Sequence, residues 1–218
     1  MAHLFRRYVP IFYGIAAFFS CFVAMQAENV AYIFGGAKFQ DASLAIAIMA
    51  FYPIHQTYGQ LSGSVFYATG QTGLYRNIGI TCMIIGLPIT YLLIAPVDMM
   101  GLNAGSTGLA IKMVIIQFIA VNVQLYFNSK LLKLPFLRYF LHQIFSLGIL
   151  LAIAYISTIA INSLSGLEGM VIIKFILTGF FYTTIVVIST LLVPHIFGMG
   201  RRDILLFMKK IKVYFKVE

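Results

Sequence analysis

Charged side chains are scarce in this chain, and carboxylates are scarcer than bases. Only 10% of the 218 residues are Asp, Glu, Lys or Arg, whereas 61% are hydrophobic and the mean hydropathy is +0.95. A soluble domain is about one quarter charged. The chain therefore lacks the polar shell that a soluble protein needs, which excludes that class and indicates a protein that resides in lipid.

Cysteines and catalytic patterns are also few. Cys21 and Cys82, the two cysteines, lie inside apolar runs and supply neither a disulfide framework nor a metal-ligand spacing. The sequence shows no paired carboxylates, no nucleophile with a plausible base and no glycine-rich phosphate loop after a strand. We therefore expect no enzyme, no metal site and no cofactor.

Six long apolar runs follow one another, and a helix needs about 20 such residues to cross a bilayer. The predicted spans are residues 8–27, 42–68, 78–97, 107–127, 139–161 and 170–196, followed by a basic tail at 201–218. The fold class that this pattern predicts is an all-α membrane protein with six transmembrane helices. The tail fits either a short helix on the inner leaflet or a disordered basic segment.

The short gaps between the runs alternate between basic and acidic residues. Lys and Arg gather before the first span, at Arg76, between the fourth and fifth spans, and in the tail. The gaps between these basic ones carry Asp41, Asp98 and Glu168, with Lys38 as their one basic residue. Since basic loops stay in the cytoplasm, we predict that both termini are cytoplasmic.

The net charge of +9 does not indicate a nucleic-acid partner. The basic residues sit at span ends and in one tail, not along a continuous stripe. Attraction to the anionic headgroups of a lipid bilayer explains them better.

Lys112 is the main polar residue inside a predicted span. It lies about a turn and a half into the fourth helix, and two interpretations stay open. Its long stem can carry the ammonium to the interface, or the ammonium can face a cavity that accepts an anionic headgroup. Lys174 lies only a few residues from its helix end, so reaching the interface is the favoured interpretation there.

The second span is the most polar. One helical face carries Gln56, Gln60, Ser64 and Tyr67, and a neighbouring stripe carries Tyr52, His55, Gly59 and Ser62. These side chains suit either contact between helices or a hydrated path lined by hydrogen-bonding groups, and the long stripe of amides favours the path. Gln117 and Gln124 share a face of the fourth span, and Glu28 would pair with Lys112 if the first and fourth helices adjoin.

Short patterns in the second to fourth spans resemble bacterial O-antigen and polysaccharide flippases. They are IMAFYPIHQ at 48–56, GQLSGS at 59–64, YATGQT at 67–72, YRN at 75–77, GSTGLAIKMV at 105–114 and VNVQL at 121–125. Glu28 after Ala27 and the IFG at 33–35 are similar to the same family. These proteins belong to the multidrug, oligosaccharidyl-lipid and polysaccharide exporter superfamily.

The resemblance implies transfer of an undecaprenyl-pyrophosphate-linked oligosaccharide between leaflets of the bacterial inner membrane. It implies two six-helix lobes around a central cavity, with Lys112 as a cavity cation. Sugar or water contacts are expected from Gln56, Gln60, Ser64, Tyr67, Gln117 and Gln124. Arg76 and Glu28 are expected to serve access, gating or topology.

The chain departs from that family in length, because its members usually have twelve or more spans. We expect the chain to resemble the second, C-terminal lobe alone and to need a partner, either a separately encoded lobe or a second copy. The alternatives are a lobe of a cation-coupled multidrug antiporter and a truncated product without transport activity. An antiporter would be expected to carry carboxylates deep in its helices.

Overall fold

The computed structural model describes residues 1–164 and 169–200, so the predicted tail at 201–218 and Glu168 lie outside the described residues. The described chain is helical and contains no strand. Its helices are α1 (Ala2–Met25), α2 (Ala27–Gly35), α3 (Ser43–Met49), α4 (Tyr52–Ala68), α5 (Thr72–Ile94), α6 (Gly105–Leu132), α7 (Phe136–Asn162) and α8 (Val171–Leu192). Short 3₁₀ helices cover Ala37–Ala42, Val97–Met99 and Pro194–Phe197.

Five helices, α1, α5, α6, α7 and α8, are long and apolar enough to cross a membrane. They correspond to five of the six predicted spans. The all-helical fold is thus confirmed for the described chain, and its five candidate spans support a multi-pass membrane protein. The helix ends differ from the predicted bounds by a few residues. At the C-terminal end, α8 stops at Leu192 because Pro194 disfavours the helical region for Val193, whose ψ is 77°.

The second predicted span, 42–68, is not one regular helix. It divides into α3 and α4, with a turn at Ala50 and Phe51. Pro53 explains the interruption, because it has no N–H to donate to the carbonyl of Met49, and its ring crowds that carbonyl. Ala50 and Phe51 keep right-handed helical dihedral angles, so the break is a kink rather than a loop.

Helix α1 lies between α4 and α7, and α6 packs against α3, α4 and α5. Aromatic hydroxyls join the buried faces. Tyr13 on α1, 1% exposed, donates to the carbonyl of Gln143 on α7 at 3.2 Å. Tyr182 on α8 donates to the carbonyl of Phe18 at 3.0 Å, and the two rings stack with centroids 4.9 Å apart. These bonds satisfy polar groups that lipid cannot.

The bundle has two chemically different ends. One end gathers the start of α1, the ends of α4 and α6 and the start of α7, because Leu4 shares a groove with Ala68, and Arg6 shares a pocket with Arg138 and His195. We call it the basic end, and its cations are Arg6, Arg7, Arg76, Lys130, Lys133 and Arg138.

The opposite end, here called the acidic end, gathers the end of α1 and the 3₁₀ helices at 37–42 and 97–99. It carries Glu28, Asp41 and Asp98, with Lys38 and Lys174 as its described cations. The alternation of charge along the sequence is therefore a separation of charge in space. Which end faces the cytoplasm stays a prediction.

Candidate functional site on the polar helix

Helix α4 carries a continuous polar face that the described chain leaves uncovered. Gln56, Gln60, Ser64 and Tyr67 are all exposed, and Tyr67 keeps 63% of its surface accessible. The spacing of three to four residues places them on one side of the helix. The hydroxyl of Ser64 donates to the carbonyl of Leu61 at 2.7 Å, whereas the amides of Gln56 and Gln60 have no hydrogen-bond partner among the described residues.

The neighbouring stripe of α4 points the other way, into the bundle. His55 is 5% exposed and Ser62 is fully buried. The ring of His55 meets Phe118 edge-on, with centroids 5.2 Å apart, and the carbonyl of Ser62 accepts a bond from Asn128 at 3.1 Å. The stripe with His55 and Ser62 therefore makes the helix contacts of the first interpretation. The stripe with Gln56 and Gln60 remains exposed, as the hydrated path of the second interpretation requires.

Gln117 and Gln124 lie in the contact between α4 and α6, at Gly59. A Cβ built at Gly59 would be 3.2 Å from Val121, 3.4 Å from the Gln117 amide nitrogen and 3.8 Å from the Gln124 amide oxygen. Gln124 is 8% exposed and its amide oxygen has no partner within the described chain. These two amides flank the inner side of α4, not its exposed face.

Lys112 lies half-buried between α5 and α6. Its Cε is 3.2 Å and its Nζ 3.5 Å from the position of a Cβ built at Gly86. The absence of a side chain at Gly86 leaves room for the lysine stem. No carboxylate pairs with Lys112 within residues 1–164 and 169–200.

Glu28 is exposed on α2, away from Lys112. It borders a polar cavity with Asn29, Thr158 and Lys174 at the acidic end. The conditional pairing of Glu28 with Lys112 is absent from the described fold, because α2 packs against α3 and α8 whereas Lys112 leans on α5. The first and fourth predicted spans do not adjoin closely enough to bring these charges together.

Arg76 is exposed at the basic end, near the start of α5. Its guanidinium makes one long contact of 3.5 Å with Asn77. The polar face of α4 leads towards it, because the rings of Tyr67 and Tyr75 meet edge-on at 5.5 Å. Arg76 thus lies near the start of α5, whereas Lys112 on α6 contacts Gly86 in the second half of α5.

Sequence reasoning did not single out the polar cavity at the acidic end. There Asn29 donates to Gln26 at 2.6 Å, and Gln26, 2% exposed, donates to Thr158 at 2.7 Å. A buried glutamine at the end of an apolar run was the available signal. Because α7 supplies the partner, the contact spans 132 residues of sequence and no local pattern reveals it.

The described residues contain no group of three His, Cys, Asp or Glu side chains able to hold a metal ion. No protein-family model, curated protein or solved structure matches the chain. The chemistry of the exposed α4 face is therefore the basis for a functional proposal.

Proposed function

We propose that this chain is a six-crossing lobe of a membrane transporter, and that the exposed face of α4 lines its substrate path. The observation that carries the proposal is the uncovered stripe of Gln56, Gln60, Ser64 and Tyr67 on a helix of an otherwise apolar bundle. Hydrogen-bonding side chains are costly against lipid tails, so such a face is expected to meet water, a polar substrate or another lobe.

Six crossings follow if α3 and α4 together form the remaining one. The kinked pair covers residues 43–68, or about 39 Å at 1.5 Å per residue, which is enough for a bilayer core of about 30 Å. The end of α4 lies beside the start of α1, and α3 contacts α2, which follows the other end of α1. Both observations support a crossing in which the backbone of α3 and α4 runs from the acidic end to the basic end.

The proposed substrate is an undecaprenyl-pyrophosphate-linked oligosaccharide in the bacterial inner membrane. Amides and hydroxyls on α4 suit the hydroxyl groups of a glycan, while the polyprenyl tail can remain in lipid. Lys112 is the proposed cation for the pyrophosphate, supported by its depth in α6 and by the lack of a carboxylate partner in the described chain. This assignment also draws on the sequence resemblance to polysaccharide flippases.

A cation-coupled antiporter lobe is the second candidate, and it is less well supported. Such a protein needs carboxylates within its helices to bind the coupling ion. The carboxylates of the described residues, Glu28, Asp41 and Asp98, all lie at the acidic end. This distribution favours an anionic substrate.

A partner is part of the proposal. Alternating access requires one repeat to rock against another, and the polar α4 face needs a cover that excludes lipid. A second six-helix lobe or a second copy of this chain would supply that cover. In either arrangement the α4 face of this chain and the opposing surface of the partner would enclose a common path.

Cysteine accessibility tests the hydrated face directly. In a background of Cys82→Ser, Gln60→Cys is expected to react with a water-soluble maleimide in membranes. Ile80→Cys is the matched control, because both positions lie eight residues, about 12 Å, from the basic end of their helices. Ile80 is 45% exposed on α5, whose outer surface is apolar. Equal, low reactivity of the two cysteines would contradict the proposal that the α4 face lines a hydrated path.

Transport is tested in proteoliposomes that carry a fluorescent lipid-linked oligosaccharide. The chain with its partner lobe is expected to move the lipid between leaflets, and Gln56→Leu with Gln60→Leu is expected to slow it strongly. If Gln60→Cys reacts but no preparation moves the lipid, the path stands and the flippase assignment fails. If the double variant flips as fast as the unmodified chain, the α4 stripe does not carry the substrate.

A further inference from the structure

A second polar concavity lies at the basic end, between α1 and α7 and under the 3₁₀ helix at 194–197. It has a volume of about 650 Å³. Its lining includes two guanidinium groups, two imidazoles and an apolar wall: Arg6, Pro10, Pro135, Arg138, Tyr139, Leu141, His142, Phe145, His195 and Gly198. The pocket does not share a residue with the polar face of α4.

The charge in this pocket is uncompensated within the described chain. Neither Arg6 nor Arg138 forms an ion pair with residues 1–164 or 169–200, and all three described carboxylates lie at the acidic end. Helix α7 also begins here, after Pro135, without a side-chain cap on its first N–H groups. A helix start adds partial positive charge to that of the arginines. The pocket therefore favours an anion.

One wall of the pocket is apolar and open to lipid. Leu141 is 53% exposed and Phe145 is 45% exposed, and both lie on α7 one turn apart, beyond Arg138 towards the middle of the helix. Tyr139 forms the floor, with its ring edge-on to Phe5 at 5.7 Å. A cationic mouth that continues into an apolar wall suits an amphiphile better than a free ion.

The far edge of the pocket is tied down by hydrogen bonds. His142 Nε2 lies 3.0 Å from the carbonyl oxygen of His195, and the hydroxyl of Ser146 donates to the carbonyl of Ile196. These contacts hold the 3₁₀ helix against α7 and keep the pocket formed without a ligand.

We propose that this pocket binds the phosphate of an anionic glycerophospholipid, with the phosphate between Arg6 and Arg138 and an acyl chain along Leu141 and Phe145. Guanidinium groups bind phosphate oxygens in a bidentate manner, and basic pockets between membrane helices are suited to anionic headgroups. The site would fasten α1 to α7 at the basic end. It is independent of the proposed transport function.

The test measures binding of phosphatidylglycerol to the full chain in a neutral detergent, by native mass spectrometry. Arg6→Gln with Arg138→Gln is expected to weaken binding at least about tenfold, since each lost charge-assisted hydrogen bond corresponds to roughly a tenfold change. Arg7→Gln with Lys133→Gln removes the same charge from the same end but does not alter the pocket lining. This control pair is expected to change binding by less than about threefold.

Two further measurements use the unmodified chain, so they do not depend on folding of a variant. Phosphatidylcholine is expected to bind much more weakly than phosphatidylglycerol, and a photoreactive phosphatidylglycerol is expected to label residues 135–145. Equal loss in both variant pairs, equal binding of the two lipids, or labelling spread over helices that do not line the pocket would overturn the proposal. Full displacement by inorganic phosphate at millimolar concentration would show a free-anion site and overturn it as well.

Discussion

The contact between α4 and α6 depends on the missing side chain of Gly59, and Gly59→Leu tests it most directly. A Cβ at this position would already lie 3.2 Å from Val121 and 3.4 Å from the Gln117 amide nitrogen. Leucine adds three more carbons, for which the contact between α4 and α6 has no room. The variant must therefore push α6 away from α4 or distort both side chains.

The magnitude follows from two opposing effects. Leucine in place of glycine gains about 0.8 kcal/mol of helix propensity, whereas forcing extra methylene groups into a close contact costs about 1–3 kcal/mol. Because leucine adds four carbons, we take the upper end of that range and expect a net loss of about 2 kcal/mol of unfolding free energy for Gly59→Leu. For a chain of this length, that corresponds to a Tm lower by about 4–8 °C.

Gly79→Leu is the matched control, because a Cβ at Gly79 on α5 meets nothing within 4 Å. It receives the same gain in helix propensity without the collision, and its Tm is expected to rise or stay unchanged. The Tm of each detergent-solubilised variant is obtained from the fraction that still elutes as folded protein in size-exclusion chromatography after heating. Equal Tm values for Gly59→Leu and Gly79→Leu would refute the close approach of α4 to α6.

Three other outcomes are expected. Lys112→Ala should abolish glycan export while leaving membrane insertion intact, whereas Lys174→Ala, near a helix end, should export normally. Surface glycan and membrane fractionation are measured for both variants. Normal surface glycan with Lys112→Ala and an intact partner lobe would contradict the role assigned to Lys112. Tyr182→Phe should lower the unfolding free energy by about 1 kcal/mol, because it removes the hydrogen bond to the carbonyl of Phe18. Tyr155 is 59% exposed and has no hydrogen bond to the described chain, so Tyr155→Phe should be neutral. Equal unfolding midpoints for the two variants would contradict the buried bond. Reporter fusions in the connectors before and after α5 should report opposite sides of the membrane, and fusions at the two termini the same side; an odd number of crossings would exclude the six-span topology.

Composition and periodicity were sufficient for the class of protein and for most of its helices. Long apolar runs predict α1, α5, α6, α7 and α8, because a spanning helix must satisfy its backbone internally and face lipid with apolar side chains. The order of charges along the chain likewise predicts the basic and acidic ends. These properties are local, so the sequence alone carries them.

The second span shows where local reasoning loses precision. Pro53 lies within the run, and its consequence, a division into α3 and α4, depends on how much of the backbone bonding the neighbouring turn can restore. The spacing of Gln56, Gln60, Ser64 and Tyr67 predicts a shared face. Only the packing of α4 on α1 and α6 decides that this face is the open one and that His55 and Ser62 are enclosed.

Contacts between distant segments were decided by tertiary structure alone. Whether Glu28 reaches Lys112 depends on which helices adjoin. The fold separates these two residues, and it places Arg6 and Arg138 on the lining of one pocket. The physical reason is that hydrophobicity and charge act locally and specify each helix and its ends. Which helix faces fit together depends instead on contacts between distant segments, at small residues such as Gly59 and Gly86. A sequence therefore states which side chains are available, and the packing of the bundle determines which of them meet.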